Sequence, residues 1–260
     1  SAIIQLLGGL AMFLYGIEVM GDGLKNSSGE ALKRVLEKVT GNVVMGVLTG
    51  ALVTAVIQSS TATIVLTVAL IGAGVLTLKQ AVSIVMGANI GTTMTAWITT
   101  LAFLESSGDN WLLWLFDTDT LAPIALVIGI ILIMFIKKKN TKAIGDIAIG
   151  FGVLFVGLNL MTDGVKPLIG TDAFLAFVNF LSNPLFGIAF GLILTVIVQS
   201  SSATVAMLQS LSSTGALDFS GVYPIIMGIN IGTTLVTAFY CFLGGESRDS
   251  KRTGVVHIAF

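Results

Sequence analysis

Two short polar sequences each occur twice in this apolar chain, and the copies of each are 141 residues apart. Gln-Ser-Ser-Thr-Ala-Thr at 58–63 returns as Gln-Ser-Ser-Ser-Ala-Thr at 199–204. Gly-Ala-Asn-Ile-Gly-Thr-Thr at 87–93 returns as Gly-Ile-Asn-Ile-Gly-Thr-Thr at 228–234. Their hydroxyl and amide groups can coordinate a cation through oxygen or donate hydrogen bonds to an anion. The doubled sequences therefore predict a solute-binding site.

The side chains of these sequences also limit what the site would bind. Amide and hydroxyl oxygens suit alkali cations, whereas the hydroxyls and helix N-termini could serve an oxyanion. The motifs contain no lysine, arginine or histidine, and we expect none at the site. A dianion in a low-dielectric environment needs compensating charge. Bound sodium ions would supply that charge, so these residues favour cation-coupled anion transport.

Composition indicates where such a site would lie. Hydrophobic residues make up 55% of the chain and charged residues 10%, and the mean hydropathy is +0.98. These values predict an all-α integral membrane protein, with the lipid bilayer as a partner. A net charge of −1 gives no signal for nucleic-acid binding. The single cysteine, Cys241, excludes an intrachain disulfide framework.

The constant offset divides the chain into two transmembrane repeats, at 1–141 and 142–260, and we expect the second to be incomplete at its C-terminus. Each repeat should contain a helical hairpin, joined through Gln-Ser-Ser, and a broken transmembrane helix. The breaks are expected at Asn89 and Asn230, where flanking glycines permit an unwound backbone. An odd number of crossings per repeat predicts inverted topology, which would bring both hairpin tips to a midplane site between the repeats.

Charge gives an independent prediction of the orientation. If the lysine-rich loop at 137–142 is cytoplasmic, Lys166 alone of the 13 basic residues falls outside. The acidic loop at 105–119 then also lies outside, as the positive-inside rule prefers.

The doubled motif pair resembles the type II sodium/phosphate cotransporter family, in its bacterial branch. This resemblance implies a multi-pass symporter of inorganic phosphate in the cell (inner) membrane, driven by sodium and working by alternating access. It implies a phosphate-binding set and a sodium-binding set. The phosphate set is Ser59, Ser60, Thr61, Ser200, Ser201 and Ser202. The sodium set is Gln58, Asn89, Thr92, Gln199, Asn230 and Thr233. Because Ser202 stands opposite Thr61, the two half-sites need not be equivalent.

Other functions remain open from the sequence. A symporter of another small oxyanion or a passive anion channel would use similar residues. An enzyme is not expected, because no histidine or carboxylate accompanies either Gln-Ser-Ser sequence to activate a serine. No cofactor is expected apart from sodium as coupling ion, and a homodimer is left open.

Overall fold

The computed structural model describes residues 2–37, 42–103, 118–136, 139–244 and 248–259. Within these ranges the regular structure is helical, which confirms the all-α prediction. The α-helices are α1 (Ala2–Glu37), α2 (Val43–Ile57), α3 (Ser60–Gly72), α4 (Leu78–Thr100), α5 (Thr118–Phe135), α6 (Lys139–Val165), α7 (Asp172–Leu181), α8 (Pro184–Val198), α9 (Ser201–Ser213), α10 (Phe219–Gly244) and α11 (Arg248–Ala259). Most of the acidic loop at 105–119 and part of the lysine-rich loop lie outside the described residues.

Helix length and composition agree with a multi-pass membrane protein. Among the described residues, α1, α4, α6 and α10 are long and apolar enough to cross a membrane, and α7 with α8 forms a pair bent by 101°. The hairpin helices α2 and α3 have 15 and 13 residues. At about 1.5 Å per residue, each is shorter than a hydrocarbon core of roughly 30 Å. Their length therefore suits a re-entrant hairpin.

The chain forms two compact units, each built from segments distant in sequence. The first unit contains residues 1–27 and 96–229, and the second contains residues 28–95 and 230–260. The second unit holds the hairpin of α2 and α3, and the first holds the hairpin of α8 and α9. The helices α4 and α10 each contribute to both units. The repeat boundaries at 141 and 142 stay a prediction about the duplication.

Glycines join α1 to α6 in the first unit. A Cβ atom on Gly9 would lie 2.6 Å from the carbonyl oxygen of Gly157, and one on Gly16 would lie 2.8 Å from that of Gly150. Such backbone contact is possible only between small residues. The contacts advance along α1 while they recede along α6, so the two helices are antiparallel. Gly150 and Gly157 are the repeat equivalents of Gly9 and Gly16.

The expected helix breaks at Asn89 and Asn230 are wrong. Both residues lie inside continuous helices, α4 and α10. The flanking glycines serve close packing instead, since a Cβ on Gly87 would overlap the carbonyl oxygen of Val47 in α2. The equivalent Gly228 meets α8 in the same way. Each helix thus keeps its own backbone hydrogen bonds while its glycines allow contact with a neighbouring backbone.

Candidate functional site

The first hairpin turns at the Gln-Ser-Ser sequence of the second unit. Gln58 ends α2 in the left-handed conformation (φ 60°, ψ 22°), and its N–H donates to the carbonyl oxygen of Thr54 at 2.7 Å. Ser59 is extended, and its Oγ accepts a hydrogen bond from the N–H of Ala62 at 3.1 Å. α3 begins at Ser60. A left-handed backbone at a residue other than glycine is uncommon, so the conformation of Gln58 is a distinctive feature of this turn.

The second hairpin repeats this turn in the first unit. Gln199 has φ 56° and ψ 21°, and its N–H donates to the carbonyl oxygen of Thr195 at 2.7 Å. Ser200 Oγ accepts from the N–H of Ala203 at 3.2 Å, and α9 begins at Ser201. The duplication therefore extends from sequence to backbone geometry.

Each turn presents hydrogen-bond donors at a helix N-terminus. Helix geometry leaves the N–H groups of Ser60 and Thr61 without intrahelical acceptors, and the helix dipole is positive at this end. The hydroxyls of the serines add further donors. Ser60 is buried, whereas Ser201 is half-buried. Such an arrangement can bind an anion without a basic side chain.

The carboxamide of Gln58 is held within the second unit. Its Nε2 donates to the carbonyl oxygen of Ala55, and its Oε1 accepts from Thr95 Oγ1 at 2.8 Å. The position equivalent to Thr95 in the second repeat is Val236, which cannot donate. The sequence gives no signal for Thr95 as a partner of Gln58, because the duplication marks only residues that recur in both repeats.

The second motif lies within α4 and α10. Asn89 is half-buried and Asn230 is exposed, while Thr92 Oγ1 donates to the carbonyl oxygen of Ala88 at 3.1 Å. His257 Nε2 lies 3.0 Å from Asn89 Oδ1. The expectation that no histidine would accompany the site residues is therefore wrong, since the chain fold brings α11 to α4 across 168 positions.

The compact units divide the twelve predicted residues unequally. The first unit holds Gln199, Ser200, Ser201 and Ser202. The second unit holds Gln58, Ser59, Ser60, Thr61, Asn89, Thr92, Asn230 and Thr233. Motif residues of both repeats thus belong to the second unit.

In each unit, the helix that follows a tip packs against the motif helix of the other repeat. In the second unit, Oγ1 of Thr61 on α3 lies 3.4 Å from Oγ1 of Thr237 on α10. In the first unit, Gln209 on α9 accepts from Thr99 Oγ1 at 2.6 Å and donates to Thr100 Oγ1 at 3.0 Å. Gln209 has Val68 as its counterpart, so the duplication gave no signal for this polar contact.

Comparison with known proteins points to transport. The family model described as Na⁺/Pi-cotransporter matches residues 12–163 and 157–248. These segments include both hairpins and both copies of the second motif. No solved structure matches the chain.

Three relatives show the range of the similarity. The "Putative inorganic phosphate export protein YjbB" of Escherichia coli (strain K12) is 26% identical over 90% of the chain. The chain spans 40% of the length of that relative. Protein YqeW of Bacillus subtilis is 25% identical over 96% of the chain and 76% of its own length. The rat sodium-dependent phosphate transport protein 2A is 39% identical over 31% of the chain and 13% of its own length.

Proposed function

Because the chain belongs to the Na⁺/Pi-cotransporter family, we propose that it is a sodium-coupled symporter of inorganic phosphate in the cell membrane. The family is one of transporters and not of enzymes. The observation that carries the proposal is the pair of Gln-Ser-Ser turns, which share one backbone geometry and each begin a helix. The names of the Escherichia coli and rat relatives support phosphate as the solute.

Each turn offers donors that could bind phosphate. The hydroxyl and helix-terminal N–H donors described above match the acceptor oxygens of phosphate. The proposed ligands are Ser59, Ser60, Thr61, Ser200, Ser201 and Ser202. Neither turn contributes a basic side chain from its own sequence, so phosphate would enter with cations that offset its charge.

Sodium would be bound by neutral oxygens. Gln58 Oε1 accepts a hydrogen bond from Thr95 Oγ1, and Asn89 Oδ1 lies 3.0 Å from His257 Nε2. A carboxamide oxygen retains a second lone pair when it accepts one hydrogen bond. The proposed ligands are Gln58, Asn89, Thr92, Gln199, Asn230 and Thr233. Coupling would follow from mutual stabilisation, in which each ion raises the affinity for the other by the same factor.

Alternating access is the mechanism that we propose for this transport. Inverted repeats provide two equivalent conformations that face opposite sides of a membrane. The antiparallel packing of the equivalent helices α1 and α6 supports this inversion. The short hairpins also support it, because tips that end within the bilayer can be exposed to one side at a time.

Radiolabelled phosphate uptake into proteoliposomes tests the proposal. Uptake should be saturable and should require a sodium gradient, with little uptake when choline replaces sodium. Unlabelled phosphate preloaded inside should give counterflow, which a passive channel would not. Competition by sulfate that equals competition by phosphate would point to another oxyanion. Equal uptake in sodium and choline would contradict sodium coupling.

A further inference from the structure

His257 is a buried polar residue of α11 that contacts Asn89 of the second motif. It is the single histidine of the chain, and its side chain is 0% exposed. Its Nε2 lies 3.0 Å from Asn89 Oδ1. A carboxamide oxygen only accepts hydrogen bonds, so Nε2 carries the proton and donates it. The contact therefore occupies one of the two lone pairs of Asn89 Oδ1.

α11, which carries His257, packs against α3 and α10. α11 contacts α3, the helix that follows the Gln-Ser-Ser turn. Gly254 lies close to α10, since a Cβ there would be 2.7 Å from the Cβ of Cys241. Thr253 is fully buried, and its Oγ1 donates to the carbonyl oxygen of Asp249 at 2.9 Å. α11 is thus packed within the unit that holds Gln58 and Asn89.

The other ring nitrogen argues against a role in packing alone. Nδ1 of His257 is buried and has no hydrogen-bond partner among the described residues. A buried acceptor without a donor costs free energy, and an apolar side chain of similar size would avoid that cost. The hydrogen bond from Nε2 to Asn89 is the interaction that an apolar residue could not provide.

The first repeat lacks an equivalent histidine. The residue 141 positions before His257 is Phe116, which has no hydrogen-bond donor in its side chain. Asn230 is exposed, whereas Asn89 is half-buried. The two asparagines of the duplicated motif therefore have different surroundings.

We infer that His257 is a positioning residue for sodium binding. By donating to one lone pair of Asn89 Oδ1, it directs the other lone pair toward the cation, so that α11 completes the half-site of the second unit. The inference rests on the proposed function, because it assumes that Asn89 binds sodium.

Transport kinetics provide the first test. His257→Leu should raise the sodium concentration for half-maximal phosphate uptake by about tenfold, as loss of a group that orients a metal ligand commonly does. His257→Gln retains a donor and should restore part of the affinity. Val255→Ala changes an exposed residue of the same helix and should leave the sodium dependence unchanged. In an Asn89→Ala background, His257→Leu should have no further effect. Unchanged sodium dependence in folded His257→Leu would overturn the inference.

Nitrogen NMR of the ¹⁵N-histidine-labelled parent provides a second test that needs no histidine variant. Because the chain has one histidine, the spectrum reports on this ring alone. The neutral tautomer protonated at Nε2 is expected, and sodium titration should shift the Nε2 resonance. Resonances unmoved by saturating sodium would overturn the inference. Parent uptake that needs no sodium would instead contradict the proposed function, a result that the uptake assay identifies separately.

Discussion

At each hairpin tip, a glutamine and two serines form a turn. The left-handed backbone of the glutamine is unfavourable for a residue other than glycine. Gln58 and Gln199 adopt left-handed backbone conformations, and Ser59 and Ser200 cap the helices that follow. Every member of the motif thus has a structural task at the turn. The glutamine ends one helix, the first serine caps the next, and the second serine begins it with the hydroxyl that we propose as a phosphate ligand.

Removal of that second hydroxyl should weaken phosphate transport. Ser60→Ala and Ser201→Ala each delete a donor to a desolvated anion, at a cost on the order of 1 to 3 kcal/mol. The half-saturating phosphate concentration in proteoliposome uptake should rise accordingly. Ser213→Ala, at the far end of α9, is the matched control and should behave like the parent. Parent-like transport by both tip variants would place the anion elsewhere.

The Thr95 hydroxyl should affect sodium binding by Gln58, in the first repeat, and not by Gln199. Thr95→Val removes the donor to Gln58 Oε1 and gives the first repeat the residue type that the second carries at Val236. Without this bond the carboxamide is less well oriented, so half-maximal uptake should need several-fold more sodium. Met94→Val, next to Thr95 on the same helix but exposed, is the control. If both variants have the sodium dependence of the parent, Gln58 is not a sodium ligand.

At the level of elements, the sequence predicted the hairpins correctly and the motif helices incorrectly. The doubled Gln-Ser-Ser sequence interrupts two apolar runs. A polar interruption of this kind indicates a turn between two helices. Glycines beside Asn89 and Asn230 have two uses, unwinding and close packing, which give the same sequence pattern. The choice depends on whether another backbone approaches them, and that is a tertiary property. Val47 and Ile188 provide that approach.

Alanine substitution distinguishes these two uses of glycine. Gly87→Ala should destabilise the protein by about 1 to 3 kcal/mol, because the new methyl group overlaps the carbonyl oxygen of Val47. Thermal unfolding of the detergent-solubilised protein, followed by size-exclusion chromatography, measures the change. Gly72→Ala is the control, since a Cβ there meets nothing within 4 Å. A Gly87→Ala variant as stable as Gly72→Ala would mean that α2 and α4 are not in backbone contact.

At the level of the whole molecule, the duplication revealed which residues are equivalent but not which ones pack together. The offset relates Gly9 to Gly150, whereas the structure pairs Gly9 with Gly157. Likewise, the sequence could not show that each compact unit combines segments of both repeats. Long-range packing of this type has no periodic signal in the chain.

Labelling of equivalent positions tests the inverted topology. Lys79 and Ser220 are related by the repeat offset, and both are exposed. In a Cys241→Ala background, cysteines at these positions should react from opposite faces. An impermeant maleimide applied to right-side-out vesicles should label the Ser220→Cys protein and spare Lys79→Cys until the membrane is permeabilised. Labelling of both from one face would contradict inversion.

The second unit is assembled from residues 28–95 and residues 230–260, and this arrangement has a consequence for biosynthesis. A ribosome that has completed the first hairpin and the start of α4 must still add residues 96–229 before α10 and α11, the other partners of that hairpin, exist. Loop closure over so many residues is slow compared with local helix formation. The first hairpin should therefore enter the bilayer early and remain incompletely packed. During that interval it would depend on the insertion machinery, or on lipid, for protection.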